Sequence, residues 1–185
     1  MSAMPPRHCF TVPQYEKMID NGILNENDRV ELIRGEIVAK MAIGDAHLGC
    51  VNRMNRLLVR SVWDRGVISV QNPVVLADSE PEPDIAVLVP RADDYASAKP
   101  RAADVLLLIE VADSSLDYDR QVKAPLYAEN SITEYWIVNL EHKCLEVHRQ
   151  PRPDGTYADV RTLRVGDTAD IAALPGLSIG VAEIL

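Results

Sequence analysis

Three residues in the middle of the chain could together carry out metal-dependent chemistry: Asp84, Glu110 and Lys123. Asp84 stands at the start of one apolar run, and Glu110 follows the densest apolar run of the protein, residues 105–109. A carboxylate beside five aliphatic side chains is costly to desolvate unless something compensates its charge. A divalent cation shared with a second carboxylate would do so. The pattern therefore predicts that Asp84 and Glu110 meet on adjacent strands and hold a hard metal ion.

The predicted ligands define both the metal and the reaction. Ligands that are all oxygen favour magnesium, calcium or manganese over zinc. Magnesium keeps several waters, so Asp84, Glu110 and the backbone carbonyl of Val111 would leave positions for water and a phosphate oxygen. Lys123 would position the attacking water and stabilise the pentacovalent phosphorus, which gives metal-assisted phosphodiester hydrolysis. A strand acid followed by a helix lysine is also typical of a simple salt bridge at a sheet edge, and this alternative stays open.

Apolar runs and turn residues predict the elements that position these groups. Residues 84–89 and 105–111 are predicted strands, and the second is apolar on both faces and therefore central in its sheet. A helix is predicted from Ser114 to about Glu129, with a kink at Pro125. Asp113, Asp117 and Asp119 are interpreted as helix-start acids favoured by the dipole. Residues 134–140 continue as another buried strand, with residues 144–149 as its hairpin partner.

Other predicted elements surround this centre. Residues 28–40 are typical of a hairpin that turns at Arg34-Gly35. Residues 45–64 have helical periodicity, with Asp45 as the expected cap. Residues 67–76 are predicted as a strand with either an edge position or a bulge, because Asn72-Pro73 interrupts them. The last predicted strands lie within residues 170–174 and 177–185.

Two residues in these flanking elements are further candidates for the site. Glu31, in the hairpin, could lean into the site or be an exposed strand carboxylate. His47, in the first turn of the helix, lies where free amides and the positive end of the dipole collect. A neutral histidine there could instead bond only backbone groups.

The charge balance limits the partners. The formal net charge is -9, from 19 basic and 28 acidic side chains, which argues against broad, non-specific affinity for nucleic acids. A local basic groove is still possible, because Arg53, Arg56 and Arg60 lie on one predicted helix. The alternative is a solvated helix face.

Length and composition favour a single domain over residues 1–185, with residues 1–13 as an N-terminal arm and a core at about 28–149. No apolar run approaches the roughly 18 residues of a membrane helix, and the N-terminus lacks a secretory signal. Cys9, Cys50 and Cys144 are scattered and odd in number. They are typical of reduced thiols in a cytoplasmic protein, and a zinc site is not expected.

Nearly the whole chain resembles the Uma-type family of restriction endonucleases, within the PD-(D/E)xK nuclease superfamily. The matching stretches are VELIRGEIV, IGDAHLGCVNRMNRLLV, VQNPVVL, EPEPDIAVLVP, LLIEVADSSLDYDRQVKAPLYAENSITEYWIVNL and LSIGVAEIL. The resemblance implies a mixed sheet flanked by helices in the order α-β-β-β-α-β, a divalent-metal site and nuclease-type hydrolysis.

The resemblance also assigns the site residues. The PD pair falls on Pro83-Asp84 and the following acid on Glu110, but position 112, where the superfamily has its lysine, is alanine. The family's lysine on the next helix matches Lys123. Glu31 and His47 also match family positions.

Together these observations predict an α/β protein with a mixed α+β sheet, a restriction-endonuclease-like core, an N-terminal hairpin and a C-terminal antiparallel extension. The expected function is a Mg²⁺-dependent endonuclease, with Mn²⁺ as a possible substitute, that hydrolyses DNA as a homodimer. Two alternatives remain at this stage. One is a catalytically silent nuclease-fold module that binds nucleic acid or protein, which Ala112 favours. The other is a structural homo-oligomer assembled through Trp63 or the sheet edge.

Overall fold

A computed structural model describes residues 7–185. Its helices are α1 Val12–Asp20, α2 Asp45–Val62, α3 Leu116–Tyr118, α4 Ala124–Glu129 and α5 Val181–Ile184. Its strands are β1 Val30–Ile33, β2 Glu36–Ala39, β3 Val67–Val70, β4 Ile85–Leu88, β5 Val105–Ala112, β6 Glu134–Asn139, β7 Cys144–Pro151, β8 Tyr157–Arg164, β9 Thr168–Asp170 and β10 Ser178–Gly180. Single 3₁₀ turns occur at Glu26–Asp28, Trp63–Arg65 and Ala102–Asp104. Residues 1–6 of the predicted N-terminal arm lie outside the described residues.

The centre of the molecule is a six-stranded mixed sheet in the order β3-β4-β5-β6-β7-β8. Strands β5 and β6 pair parallel, and every other neighbouring pair in this sheet is antiparallel. A parallel pair needs a crossover connection, and the helical segment from α3 to α4 provides it. The order α2, β3, β4, β5, helical crossover, β6 is the predicted α-β-β-β-α-β arrangement, and the predicted fold class is confirmed.

Strand β5 is central because both of its faces are apolar. Successive strand residues point to opposite faces. Leu107 and Ile109 therefore pack with the core that α2 and α5 cover, while Leu108 packs with the core under α4. Glu110 lies on the same face as Leu108, so its carboxylate enters the side of the sheet where the crossover helices lie.

The long helix α2 packs a stripe of buried residues onto one face of the sheet: Cys50, Val51, Met54, Leu58 and Val62. Their spacing of three and four residues is the period that predicts an amphipathic helix. The N-cap is Gly44 rather than the predicted Asp45, which is the first helical residue. Asp45 thus lies in the first turn, where the dipole still favours an acid.

The crossover helix changes its geometry ahead of Pro125. Residues Asp119–Lys123 form a π-helical turn between α3 and α4. Proline has no N–H and its ring crowds the carbonyl four residues earlier, so a regular α-helix cannot pass through this position. The predicted distortion at Pro125 is therefore present, and it takes the form of a π turn. This turn buries the side chains of both Asp119 and Lys123.

The hairpin β1–β2 turns at the predicted residues. Ile33 pairs with Glu36, and the two residues between them, Arg34 and Gly35, both have positive φ, of 50° and 74°. A two-residue turn with positive φ at both positions matches the twist of antiparallel strands. The hairpin packs beside the sheet through an isolated bridge between Leu32 and Glu80.

Two predicted strands are shorter in the structure. The edge strand β3 ends at Val70, because Gln71 has a positive φ of 51° and the Asn72 side chain donates to the Val70 carbonyl. The predicted C-terminal strand within residues 177–185 consists of β10, which pairs with β9, and then helix α5. The carboxylate of Glu183 accepts from the Gly180 N–H at 3.1 Å, which starts this helix.

None of the helices within residues 7–185 combines the length and the apolar character needed to span a membrane.

Candidate active site

A cavity of about 420 Å³ opens where β4 begins and β5 ends. The hairpin β1–β2, the start of α2 and the crossover helix form its walls. Several ionisable or polar side chains line it: Arg29, Glu31, Lys40, His47, Gln71, Glu82, Asp84, Glu110, Asp113, Ser115, Tyr118, Asp119 and Lys123. All five residues predicted as first or second candidates are among them, so the structure brings them together in one space.

Asp84 is held just before β4 by three donors. Its Oδ2 accepts from the Val111 N–H at 2.8 Å and lies 2.9 Å from Nε2 of His47. Its Oδ1 accepts from the Gln71 amide at 3.3 Å. Burial disfavours the charge, but these three donors outweigh it and hold the pKa of Asp84 below its ordinary value. Asp84 is therefore a fixed, ionised carboxylate.

Glu110 is the more deeply buried of the two predicted metal ligands. Its Oε1 accepts from Lys123 Nζ at 2.8 Å and from the Tyr127 hydroxyl at 2.9 Å. Its Oε2 accepts from the backbone N–H of Asp84 at 3.3 Å. The Glu110 side chain is therefore bonded directly to the backbone of the other predicted metal ligand. Burial raises the pKa of Glu110 to about 8, even though Lys123 opposes the change, and the nearby charges of Asp84 and Asp119 add to it.

Lys123 reaches this carboxylate from the π turn of the crossover helix. Its Nζ also lies 3.8 Å from Oε2 of Glu31. Burial disfavours the ammonium, but Glu110, Glu31 and Asp119 outweigh burial and raise the pKa of Lys123. The lysine therefore remains charged. Although position 112 is alanine, an ammonium is present beside Glu110, and it comes from the following helix as the sequence predicts.

The cavity contains more negative than positive charge. Glu31, Asp84, Glu110 and Asp119 are all buried carboxyl groups, whereas their cationic partners are the buried Lys123 and, when protonated, the half-buried His47. Two carboxylates this close repel strongly unless a cation or a proton compensates them. Burial is the main cause of the raised pKa of Glu110, and the neighbouring charges of Asp84 and Asp119 contribute to it.

The donor set fits a hard divalent cation. Asp84 Oδ1 and Glu110 Oε2 each make a single hydrogen bond, at 3.3 Å, which leaves lone pairs for a metal. The Ala112 carbonyl accepts from Leu140 N–H on the β6 side. Because peptide groups alternate along a strand, the Val111 carbonyl faces the β4 side, where Asp84 lies. Within residues 7–185 no group of three or more His, Cys, Asp or Glu side chains is arranged to hold a metal ion. The predicted ligand set is smaller, because it has two such side chains and one backbone carbonyl.

Both further candidates have definite positions. Glu31 is 4 % exposed and its Oε2 accepts from the Glu82 N–H at 3.1 Å, so the interpretation as an exposed strand carboxylate is wrong. The His47 side chain bonds the Asp84 carboxylate, so the interpretation that it bonds only backbone groups is wrong. Asp84 raises the pKa of His47 through a hydrogen bond, against the effect of burial, so the imidazole gains a proton more readily than a free histidine.

The sequence did not reveal three residues of this site, two that line the cavity and one that bonds Glu110 behind it. Asp119 is buried and accepts from Ser115 Oγ at 2.6 Å, so it is not a solvated helix-start acid. Tyr118 lines the cavity and Tyr127 bonds Glu110. All three lie in the crossover segment. In a helix such as this one, a tyrosine is normally expected to pack in the core, and an acid near the start is expected to interact with the helix dipole. The π turn that redirects them has a single signal in the sequence, Pro125.

The arginines predicted to contact nucleic acid lie outside the cavity. Arg53 donates to the carbonyls of Ile184 and Leu185 at 3.1 and 3.0 Å, so the C-terminus occupies it. Arg56 and Arg60 are exposed on α2. Arg29, on the hairpin, lines the cavity, and among the described residues its side chain makes no ion pair, with a single long contact of 3.4 Å to the Met41 carbonyl.

The sheet order and the pair of acids at the strand ends define the class of protein with a restriction-endonuclease-like nuclease fold. A crystal structure described as a "putative nuclease belonging to DUF820 from Anabaena variabilis" has this fold. It superposes with a TM-score of 0.72 at 13 % identity, over 95 % of this chain and 97 % of that chain. The family described as "Uma2: Putative restriction endonuclease" matches residues 12–182. The chain belongs to that family. No curated protein matches it.

Proposed function

We propose that this protein is a divalent-metal-dependent endonuclease that hydrolyses phosphodiester bonds in DNA. One observation carries the proposal: in an acidic cavity, the Glu110 carboxylate accepts from the backbone N–H of Asp84, and Lys123 bonds Glu110. A purely structural ion pair needs neither the cavity nor the surplus of acids. The membership in a family described as restriction endonucleases supports the same reaction class.

Asp84, Glu110 and the Val111 carbonyl would hold the ion, with Mg²⁺ as the proposed metal and Mn²⁺ as a substitute. When bound, the ion supplies Lewis-acid polarisation of a phosphoryl oxygen and a more acidic water. The chain supplies the remaining functions. Lys123 Nζ, 2.8 Å from Glu110, is placed to orient a water beside this carboxylate and to stabilise negative charge on phosphorus. His47 fixes the orientation of Asp84 through Oδ2.

DNA must approach an acidic protein, so the few free cations near the cavity matter. Arg29 lies at the cavity rim, and Arg56 and Arg60 are exposed on the helix that begins there. We propose Arg29 as the cation that first meets a backbone phosphate, because guanidinium groups bind phosphate through a rigid fork. Arg56 and Arg60 would contact the flanking backbone.

The proposal includes a single restriction-endonuclease-like domain over residues 1–185 that acts as a homodimer. Two sites in a dimer would cut both strands of a duplex in one encounter. Trp63 is 78 % exposed at the end of α2, and β3 is an edge of the sheet. Sedimentation velocity of the native chain and of Trp63→Ser tests this part, and a monomer that still cuts both strands would exclude it.

The experiment that tests the function is cleavage of supercoiled plasmid in the presence of Mg²⁺ or Mn²⁺. We expect nicked and linear products that disappear with chelator and with Asp84→Ala. Arg152→Ala, an exposed arginine at the far β7–β8 turn, should cut normally. If the native chain leaves plasmid and single-stranded DNA intact with both metals, the proposal is wrong.

A further inference from the structure

Tyr118 has a buried hydroxyl that lines up with no hydrogen-bond partner in the described part of the chain. The hydroxyl oxygen is inaccessible to solvent and has no hydrogen-bond partner among the described residues, although the side chain lines the cavity. Buried polar groups are almost always paired, because an unpaired group loses its hydration and gains nothing in return. Such a group beside a candidate active site points to a ligand.

The surroundings of this hydroxyl show that it is a donor. Burial, Glu31, Asp119 and Glu110 together raise the pKa of Tyr118 to about 12, with Lys123 opposing them. The phenol therefore keeps its proton at any physiological pH. Although acids surround it, it donates to none of them, so its proton is available to an acceptor that enters the cavity.

Donors are scarce in this cavity. Most side-chain donors that line it are already bonded to carboxylates: Lys123 to Glu110, Gln71 and His47 Nε2 to Asp84, Ser115 to Asp119, and Lys40 to Glu82. Arg29, at the rim, and Nδ1 of His47 are not bonded to a carboxylate among the described residues. A phosphodiester has only acceptor oxygens at phosphorus, so it needs donors that the acids have not taken. The Tyr118 hydroxyl meets this requirement.

We propose that the Tyr118 hydroxyl donates a hydrogen bond to a non-bridging phosphate oxygen of the substrate. This role rests on the proposed function, and it makes Tyr118 a substrate-positioning residue that enters the cavity from the crossover helix, next to the π turn that presents Lys123. The hydroxyl orients the phosphate, while Lys123 and the two acids act on the reacting atoms.

A matched pair of substitutions tests the role. Tyr118→Phe removes this hydroxyl, and Tyr135→Phe removes another buried hydroxyl without a partner among the described residues, on a core ring that packs against the rings of Tyr127 and His148. Neither hydroxyl has a hydrogen-bond partner within residues 7–185, so we expect both variants to resist urea at least as well as the native chain. Tyr127→Phe, which breaks a bond to Glu110, should be less stable.

The functional readouts should separate the pair. A hydrogen bond to a charged group contributes about 1.5–3 kcal/mol, which corresponds to roughly 10- to 100-fold. We expect Tyr118→Phe to lower the rate of single-turnover plasmid cleavage by this factor. We expect the same decrease in the affinity for inorganic phosphate, measured by calorimetry with Mg²⁺ present. Tyr135→Phe should match the native chain in both assays.

Each result decides between defined outcomes. Cleavage and phosphate binding that Tyr118→Phe leaves unchanged would overturn the role of Tyr118 and leave the nuclease intact. A native chain that binds phosphate through Tyr118 but cuts no DNA or RNA would overturn the nuclease and keep the phosphate site. A loss of stability in Tyr118→Phe would show a structural bond and would also overturn the role, and failure of the native chain in both functional assays would overturn both proposals.

Discussion

Glu110 and Glu134 are both buried glutamates on neighbouring parallel strands of the same sheet, yet their surroundings are opposite. Glu134 receives four hydrogen bonds of 2.9 Å or less, from the Trp136 indole, both arms of the Arg149 guanidinium and the Ala172 N–H. It does not line the cavity. Glu110 faces the cavity and shares one ammonium with two other acids. A buried acid is thus a structural residue where its charge is matched, and it indicates a site where the charge remains in excess.

The largest expected effect is on Glu110. Glu110→Gln keeps the shape of the side chain and removes a carboxyl group whose ionised form burial disfavours, so we expect stability to stay equal or rise. Cleavage should fall by about 1000-fold, the cost of losing a preorganised charged group at a reacting centre. Single-turnover plasmid cleavage and urea unfolding measure the two effects. A variant that unfolds easily and cuts normally would place Glu110 in the same structural class as Glu134.

The opposite result is expected for Glu134. Glu134→Ala removes the acceptor of the Trp136 indole and the carboxylate that Arg149 pairs with, and it leaves Arg149 only the Asp170 carbonyl. Removing one partner of a buried ion pair destabilises by about 3–5 kcal/mol. Urea unfolding should show this loss, while the cleavage rate per folded molecule should be that of the native chain. A specific loss of cleavage in the folded variant would contradict the comparison.

Much of the fold was predictable because most of the apolar residues of segments 45–62 and 105–112 are ones that the fold buries, so their spacing indicates the helix and the central strand. The meeting of Asp84, Glu110 and Lys123 could be predicted because strand neighbours and the next helix place them together. The π turn, the buried state of Asp119 and the role of Tyr118 were not, because they depend on how one helix adjusts ahead of Pro125. The contact of Arg53 with the C-terminus was equally hidden, since it joins residues 131 positions apart.

Glu146 extends the structural class and gives a pH test. Burial opposes its charge, but His148, the Arg120 fork and Asn139 lower the pKa of Glu146 from 4.5 to about 2. His148 Nε2 lies 3.8 Å away, so the fork, at 3.0 Å, is the stronger contact. A lowered pKa stabilises the fold above the unfolded value and is lost as the pH falls. We expect unfolding free energy to decline between about pH 4.5 and 2, and less steeply in Glu146→Gln. If the unfolding free energy of the native chain and of Glu146→Gln fell equally with pH below 4.5, Glu146 would not be the source of this stability.

The smallest expected effect is at the cavity rim. Arg29→Ala removes a cation without an ion pair among the described residues, so stability should hardly change. Binding of duplex DNA should weaken by roughly tenfold, and the slope of log K against log salt should decrease by about 1. Fluorescence anisotropy at several salt concentrations measures both, with Arg152→Ala as the control. Equal slopes for Arg29→Ala and the native chain would remove Arg29 from the proposed phosphate contacts.

The most direct test of the central claim is a calorimetric titration of Mn²⁺ or Mg²⁺ into the native chain, Glu110→Gln and Glu134→Gln. If Asp84 and Glu110 jointly hold a hard cation, the native chain and folded Glu134→Gln bind one equivalent, and Glu110→Gln binds at least tenfold more weakly. Equal binding by the native chain and Glu110→Gln, or no binding by the native chain, would contradict a metal site at these two acids.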